Sequence, residues 1–290
     1  MTTADVREGP ANHLSRLYST EFRERLASIA QAGSPAYASA DPFPHAVFDD
    51  FLPPDALDDA WAAFERMEGA GWRSYNRVEE VKQEYSAAES LPPSLRDILH
   101  FFNSAVVLDF VERLTGIPRL IPDPYFTGGG LHQIGRGGRL EIHADFNWYE
   151  RLRLDRRVNL LLYLNRNWDE AFGGHLELWD RSMTRCVKRV LPVYNRCVIF
   201  NTTSDAFHGH PELLTCPPGR FRRSLALYYY SNGRPEAERA LPHSTLWQHR
   251  PEARIGQGFR ARVAVKRLLL RLAPPLFLEA YEALRKRVKR

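Results

Sequence analysis

From Gly129 onward the chain reads as short runs in which apolar residues alternate or cluster: "LHQIG", "RLEIHADF", "RVNLLLYLN", "GHLELWD", "TRCVKRVL", "RCVIFN" and "RRSLALYYYS". Turn residues punctuate them at Gly137-Gly138, Asn165 to Asn167, Gly173-Gly174 and Pro217-Pro218-Gly219. A period of two bounded by such turns predicts strands, because successive side chains of a strand point to opposite faces. Seven or eight short strands in about a hundred residues imply a sandwich or a small barrel.

Upstream the period changes. A helix is expected over 13–32, stopping at Gly33-Ser34-Pro35, then a strand over 45–51 and a helix opening at Asp55 with Leu57, Trp61 and Phe64 on one face. A further helix is expected over 94–114, carrying Leu95, Ile98, Leu99, Phe102, Val106 and Phe110 and ending before Gly116-Ile117-Pro118. More helix is expected after Arg260. The fold class is therefore α+β, with helices packed on a β-barrel-like core. It divides into an N-terminal arm (1–40), a helical support region (41–125), a β-rich domain (126–232) and a basic helical extension (233–290).

Composition bounds the rest. With 290 residues, 44% of them hydrophobic, and 20 prolines, this is a turn-rich globular chain with enough length for a sizeable core. No run approaches the roughly 18 apolar residues of a membrane span, and "MTTADVREGP" lacks the apolar centre of a secretory signal. Cys186, Cys197 and Cys216 are odd in number and contain no CxxC, which argues against a disulfide framework or a zinc–thiolate site and for a cytoplasmic setting. The net charge of +5 hides an asymmetry, since ten Lys or Arg against Glu279 and Glu282 give residues 259–290 a local +8. That tail is read as a C-terminal helical cap on the barrel. Its rival is an amphipathic anchor making peripheral membrane contact. No nucleic-acid-reading motif is present, so no nucleic acid is expected as a partner.

The candidate chemistry begins at "LEIHADFNW". His143 and Asp145, two apart in a strand, share one face. A divalent iron site wants two imidazoles and one carboxylate, leaving open positions for a cosubstrate and dioxygen. The second imidazole should come from a distant strand, and "SDAFHGHPE" offers His208 and His210. An anionic cosubstrate needs a fixed cation, which "GRFRRSLALYYYS" supplies. One face of that strand reads Arg222, Ser224, Ala226, Tyr228; the other reads Arg223, Leu225, Leu227, Tyr229. Small residues beside an Arg suit a narrow cavity and leucines suit packing against helices, so Arg222 with Ser224 is the choice and Arg223 the rival. "DFNWYERLRLDRR" is expected to be a long loop, either a substrate rim or a solvated connection.

The ordered set HAD, FHGH and RRS resembles the 2-oxoglutarate- and iron(II)-dependent dioxygenases of the prolyl-hydroxylase-like superfamily, over about residues 126–232. "LLLYLNRNWDEAFGGHLELW" resembles that family's central strand pair, and "PFPHAVFDDFLPPDAL" its approach segment. The resemblance implies a double-stranded β-helix, the jelly-roll or cupin-like barrel of eight strands in two sheets. It implies iron(II) on His143, Asp145 and His208, with His210 a loop residue or a partner behind the ligands. Arg222 would hold the distal carboxylate of 2-oxoglutarate, supported by Ser224 and Tyr163, and Gln133 falls where relatives often have a tyrosine. No catalytic side chain is implied beyond the metal ligands. The implied reaction consumes dioxygen and 2-oxoglutarate, releases succinate and carbon dioxide, and hydroxylates an unactivated C–H bond of a peptide (a prolyl residue among the options) or a small molecule. Ascorbate is an optional auxiliary, and Asp145 argues against a halogenase. Two alternatives stay open: a cupin-like metal enzyme without 2-oxoglutarate, and a non-enzymatic binding module that uses the basic tail.

Overall fold

The computed structural model describes residues 13–67, 71–248 and 250. Helix α1 (Thr20–Ala38) starts where the Ser19 hydroxyl accepts a hydrogen bond from the Phe22 N–H at 3.1 Å, and it buries Phe22, Leu26, Ala30 and Tyr37. It runs through Gly33-Ser34-Pro35, where the sequence predicts a stop. Packing overrides the local signal there. Tyr37, in the turn after the proline, is buried and donates to Asn201 Oδ1 at 2.7 Å, and the bare Gly33 lets Leu114 approach. Strand β1 (His45–Phe48) is followed by α2 (Pro54–Glu65), which opens with proline at its first position and buries Ala56, Leu57, Ala60, Ala63 and Phe64.

A hairpin of β2 (Arg73–Asn76) and β3 (Glu80–Tyr85) occupies a stretch expected to belong to a helical region. The single helix expected over 94–114 is two, α3 (Pro93–Phe102) and α4 (Ala105–Thr115). They break at Asn103-Ser104, where Ser104 is extended at ψ 160 and Asn103 Nδ2 donates to the Asp123 carbonyl at 2.9 Å. Both residues compete for backbone groups more readily than they continue a helix.

The strands continue as β4 (Ile121–Pro122), β5 (Gly130–Ile134), β6 (Arg139–Ala144), β7 (Trp148–Tyr149), β8 (Leu154–Tyr163), β9 (Leu176–Trp179), β10 (Cys186–Val190), β11 (Cys197–Asn201), β12 (His208–His210), β13 (Arg222–Ser231) and β14 (Leu246–Trp247). All seven apolar stretches quoted above form strands. The hydrogen-bonded order is β1-β11-β8-β13-β5-β3-β6-β12-β9-β10, every pairing antiparallel. Strand β3 serves both halves: Gln83 to Tyr85 pair with β5, while Glu80 and Val81 pair with β6. The sheet therefore curls at β3 into two layers, the expected double-stranded β-helix.

Two connections differ from expectation. The "long loop" after the HAD motif is a tight hairpin in which β7 pairs with β8. The described part of the 233–290 extension is not helical; it holds a short 3-10 turn at Glu236–Glu238 and then β14, which pairs with β6. The basic tail and its proposed helices lie outside the described residues. No helix among the described residues is long and apolar enough to cross a membrane.

The helices lie on the outer face of the larger layer, against Leu131, Val158, Leu160, Leu162, Leu225, Leu227 and Tyr229. That leaves the opposite faces of β5, β8 and β13 for the interior. The approach segment is pinned by Asn195, whose Oδ1 accepts from Leu52 N at 3.0 Å and whose Nδ2 donates to Leu52 O at 2.7 Å, from a left-handed backbone at φ 58. Asn195→Ala strands two buried peptide groups in a conformation alanine dislikes. It is expected to lower unfolding stability by about 2–4 kcal/mol, read from the denaturant midpoint at unchanged slope.

Candidate metal centre and cosubstrate pocket

His208 pairs opposite His143 and His210 opposite Leu140, so two steps along β12 match three along β6. This one-residue bulge re-aims the β6 side chains. Ile142 and Ala144 pack outward with Trp179, Met183 and Phe207, while His143 turns into the barrel with Leu140. Gly209 makes the close approach possible, since a Cβ there would meet the Leu140 and Glu141 carbonyls at 2.8 Å. Asp145 follows directly after β6.

Both imidazoles are oriented from behind. His143 Nδ1 lies 2.8 Å from the Glu141 carbonyl and His208 Nδ1 lies 3.0 Å from the Ala206 carbonyl. A carbonyl only accepts, so each Nδ1 carries the proton and each Nε2 presents a lone pair. Those Nε2 atoms sit 3.7 Å and 3.4 Å from the two carboxylate oxygens of Asp145. One donor atom from each of the three residues lies within 4.8 Å of the others. Burial and the neighbouring His143 push His208 down to about 4, which keeps it neutral, with its Nε2 lone pair available, at physiological pH.

Asp145 is itself held. Asn159 Nδ2 donates to its Oδ2 at 2.7 Å and Arg156 Nη2 lies 3.0 Å from the same oxygen. Arg156 also donates to Asn159 Oδ1 from Nε and Nη2, and its guanidinium is sandwiched between Tyr228 (3.5 Å) and Phe146 (4.5 Å). Burial alone would raise the Asp145 carboxyl, but Arg156 and the two imidazoles outweigh it and hold the group well below the usual carboxylate range. A second irregularity makes this possible: Tyr229 pairs with Val158 and Tyr230 with Arg156, skipping Arg157. Arg156 and Asn159, three apart, thereby face the same interior.

Arg222 and Ser224 line the same narrow cavity, of about 80 Å³, as His143, Asp145 and His208. Arg222 is 5% exposed. Its Nε donates to the Gly174 carbonyl at 2.7 Å and its Nη2 to the Tyr163 hydroxyl at 3.2 Å, which leaves the phenolic hydrogen free to donate. No carboxylate of the described residues lies within ion-pair distance of Arg222. A buried cation without a counter-ion is costly, and an anion filling the cavity would relieve that cost. Arg223 faces the other way: it pairs with Glu65, stacks on Phe64 at 5.1 Å, and reaches Gln133 Oε1 at 3.4 Å. Gln133 is likewise outside the cavity, donating to Gln83 at 2.9 Å. The cavity face of β5 at this level is His132, directly opposite Ser224. His210, expected as a loop residue or a partner behind the ligands, is a buried strand residue lining the cavity.

Arg156, Asn159, His132 and Lys82 also line the cavity, and none was singled out from the sequence. The signal for Lys82 was available in "EEVKQEY", whose alternation is charged on one face because that face looks inward.

The donor set fits a divalent iron: two imidazole nitrogens and one carboxylate, buried, converging and buttressed. The buried, unbalanced Arg222 in the same cavity fits the carboxylate of 2-oxoglutarate. A family model described as the 2OG-Fe(II) oxygenase superfamily matches residues 129–230. Prolyl 3-hydroxylase OGFOD1 of Mus musculus is 28% identical over 152 residues, covering 45% of this chain and 28% of that protein. The chain thus spans little more than a quarter of that relative's length. Two solved structures share the fold. A prolyl hydroxylase from Trichoplax adhaerens, in complex with a hypoxia inducible factor oxygen degradation domain peptide fragment, is 16% identical with a TM-score of 0.52, over 73% of this chain and 93% of that one. A Pseudomonas putida prolyl-4-hydroxylase is 20% identical with a TM-score of 0.50, over 70% of this chain and all of that one. Residues 129–230, which hold the three converging side chains and the buried arginine, are the stretch that is similar to the 2OG-Fe(II) oxygenase superfamily.

Proposed function

We propose that this chain is an iron(II)- and 2-oxoglutarate-dependent dioxygenase that hydroxylates an unactivated C–H bond. A prolyl residue in a peptide is the first candidate substrate and a small molecule the second. The observation that carries the reading is the joining, in one buried cavity, of the His143–Asp145–His208 set with an arginine that has no counter-ion among the described residues. A cupin-like metal enzyme without 2-oxoglutarate would have no use for Arg222 there. The murine relative's description as a prolyl 3-hydroxylase supports the choice of peptidyl proline.

The residues divide the work. When bound, iron and 2-oxoglutarate supply the oxidation, in which one oxygen of dioxygen enters succinate, the other becomes the product hydroxyl, and carbon dioxide leaves. His143, Asp145 and His208 would hold the iron from one side, leaving positions open for cosubstrate and dioxygen. Arg222 would grip the distal carboxylate, with Ser224 and the Tyr163 hydroxyl beside it. Burial pushes the Tyr163 phenol up, so it keeps its proton and can donate. Phe200, edge-on to His208 at 4.6 Å, helps keep water from the ligand set. Ascorbate as an auxiliary reductant and a cytoplasmic setting belong to this proposal as well.

The test is an anaerobic titration with iron(II) followed by 2-oxoglutarate. The weak visible charge-transfer band of the ternary complex is expected, and succinate should be released on admitting air. Iron binding without any response to 2-oxoglutarate would sink the reading and leave a metal-binding barrel. The same titration tests the Asp145 support. Asn159→Ala, which removes one of the two donors on Asp145 Oδ2, is expected to weaken metal affinity about 10–100-fold in competition with a chromogenic chelator.

A further inference from the structure

Two residues beyond His208, strand β12 places a second histidine whose ring has nowhere to donate. His210 is 3% exposed, and among the described residues neither its Nδ1 nor its Nε2 has a hydrogen-bond partner. Buried polar groups are nearly always paired, so a fully orphaned imidazole calls for an explanation. His143 and His208 provide the contrast, since each anchors its Nδ1 on a backbone carbonyl.

The surroundings say what the ring is missing. His210 lines the cavity with Arg222, Ser224, His132 and Lys82, all of which carry N–H or O–H groups; among the described lining residues Asp145 is the one carboxylate, and the nearby Glu80 and Glu84 are taken up by Lys82 at 3.6 and 3.9 Å. That end of the cavity is rich in donors and poor in acceptors. Neighbours two apart on a strand are separated by about 6–7 Å. This is comparable to the reach of a five-carbon diacid from a metal held by His208 to a carboxylate beside His210. In either neutral tautomer, and when protonated, the ring offers at least one N–H.

We propose that His210 is a cosubstrate-binding residue, whose ring N–H donates to the distal carboxylate that Arg222 holds. The proposal rests on the dioxygenase reading above. It adds His210 to Arg222, Ser224 and the Tyr163 hydroxyl around that carboxylate. With its Nε committed to Gly174 and one Nη2 hydrogen to Tyr163, Arg222 keeps three N–H for the roughly four acceptor positions of a carboxylate, which leaves room for a further donor.

The experiment measures anaerobic 2-oxoglutarate binding by calorimetry to the iron(II)-loaded wild type, His210→Leu and His210→Gln, with iron affinity and melting temperature as controls. Loss of a hydrogen bond to a charged group should weaken binding by on the order of ten- to a hundredfold in His210→Leu. His210→Gln, which keeps N–H donors, should recover part of that loss, and neither control should move. Unchanged binding in His210→Leu overturns the proposal, as does equal loss in both variants, which would mean packing alone. In case a variant fails to fold, the zinc-loaded wild type with ¹⁵N-labelled histidine supplies an independent arm. There 2-oxoglutarate should shift the His210 ring nitrogen resonances, and an unmoved spectrum with the ligand bound overturns the proposal. A wild type that binds no 2-oxoglutarate is a different result: it removes the dioxygenase reading and this inference with it.

Discussion

Alanine at His143, Asp145 or His208 is expected to abolish iron-dependent succinate release, each single change being as complete as all three together. Three protein ligands are the minimum from which the site can hold a divalent metal with open positions. Removing one should exceed the roughly 10–100-fold loss in metal affinity that follows from disturbing a supporting hydrogen bond. The three variants should nevertheless differ in stability. His143 and His208 rest on backbone carbonyls, so their loss frees two acceptors and a modest volume. Asp145→Ala instead leaves Arg156, 1% exposed, without its carboxylate. Breaking a buried pair in this way costs up to about 3–5 kcal/mol. Asp145→Ala should therefore melt lowest, measured without metal so that linkage to binding does not enter. His210→Ala should keep iron binding, because His210 is not among the three residues whose donor atoms converge. Retained iron binding in His208→Ala together with its loss in His210→Ala would refute the ligand assignment.

The fold was legible where one face of an element meets a core of one character. The alternation in "RRSLALYYYS" places Leu225 and Leu227 against the helices and Arg222 and Ser224 in the cavity, because β13 pairs with β5 without a slip from Arg222 to Ala226. Strand β3 escaped the same reasoning. Lys82 lines the cavity, so the inward face of "EEVKQEY" is charged and the hydrophobic signature of a core strand is missing. Strand β12 escaped for a different reason. It is three residues long, "HGH", and has no apolar position to reveal it. Tertiary contacts decided the helix ends: Tyr37 and Gly33 carry α1 past its proline, and Asn103-Ser104 split α3 from α4.

The candidate ligands were legible because HxD spacing survives in the two residues at and beyond the end of β6. Their support was not. A period of two puts Arg156 and Asn159 on opposite faces, whereas the slip at Arg157 brings both to Asp145. Bulges of this kind cluster near active sites and leave no mark in a single sequence. Gln133, at the place where relatives often have a tyrosine, faces away from the cavity, and His132 is the β5 residue that faces it.

Arg222→Met is expected to weaken 2-oxoglutarate binding by a factor of roughly thirty or more, and Arg223→Met by less than about threefold, with iron affinity unchanged in both. Losing one partner of a desolvated charge pair costs about 2–5 kcal/mol. Arg222 meets that description, being buried, fixed by Gly174 and Tyr163, and without a carboxylate partner among the described residues. Arg223 is buried as well, but its guanidinium meets Glu65, whose side chain is 48% exposed, on the far side of the sheet. Its loss should appear as lowered stability of about 1 kcal/mol, discounted because half-solvated pairs contribute little. Arg222→Lys should rescue binding only in part. An ammonium is a point charge and cannot keep the Gly174 and Tyr163 contacts while presenting a flat fork to the ligand. Tyr163→Phe should fall between Arg222→Met and wild type, since it removes one donor and leaves the charge. A reversed ranking of the two arginines would mean that β13 is displaced by one residue, with Leu225 and Leu227 facing the cavity. Equal and small effects would remove the cosubstrate from this cavity altogether.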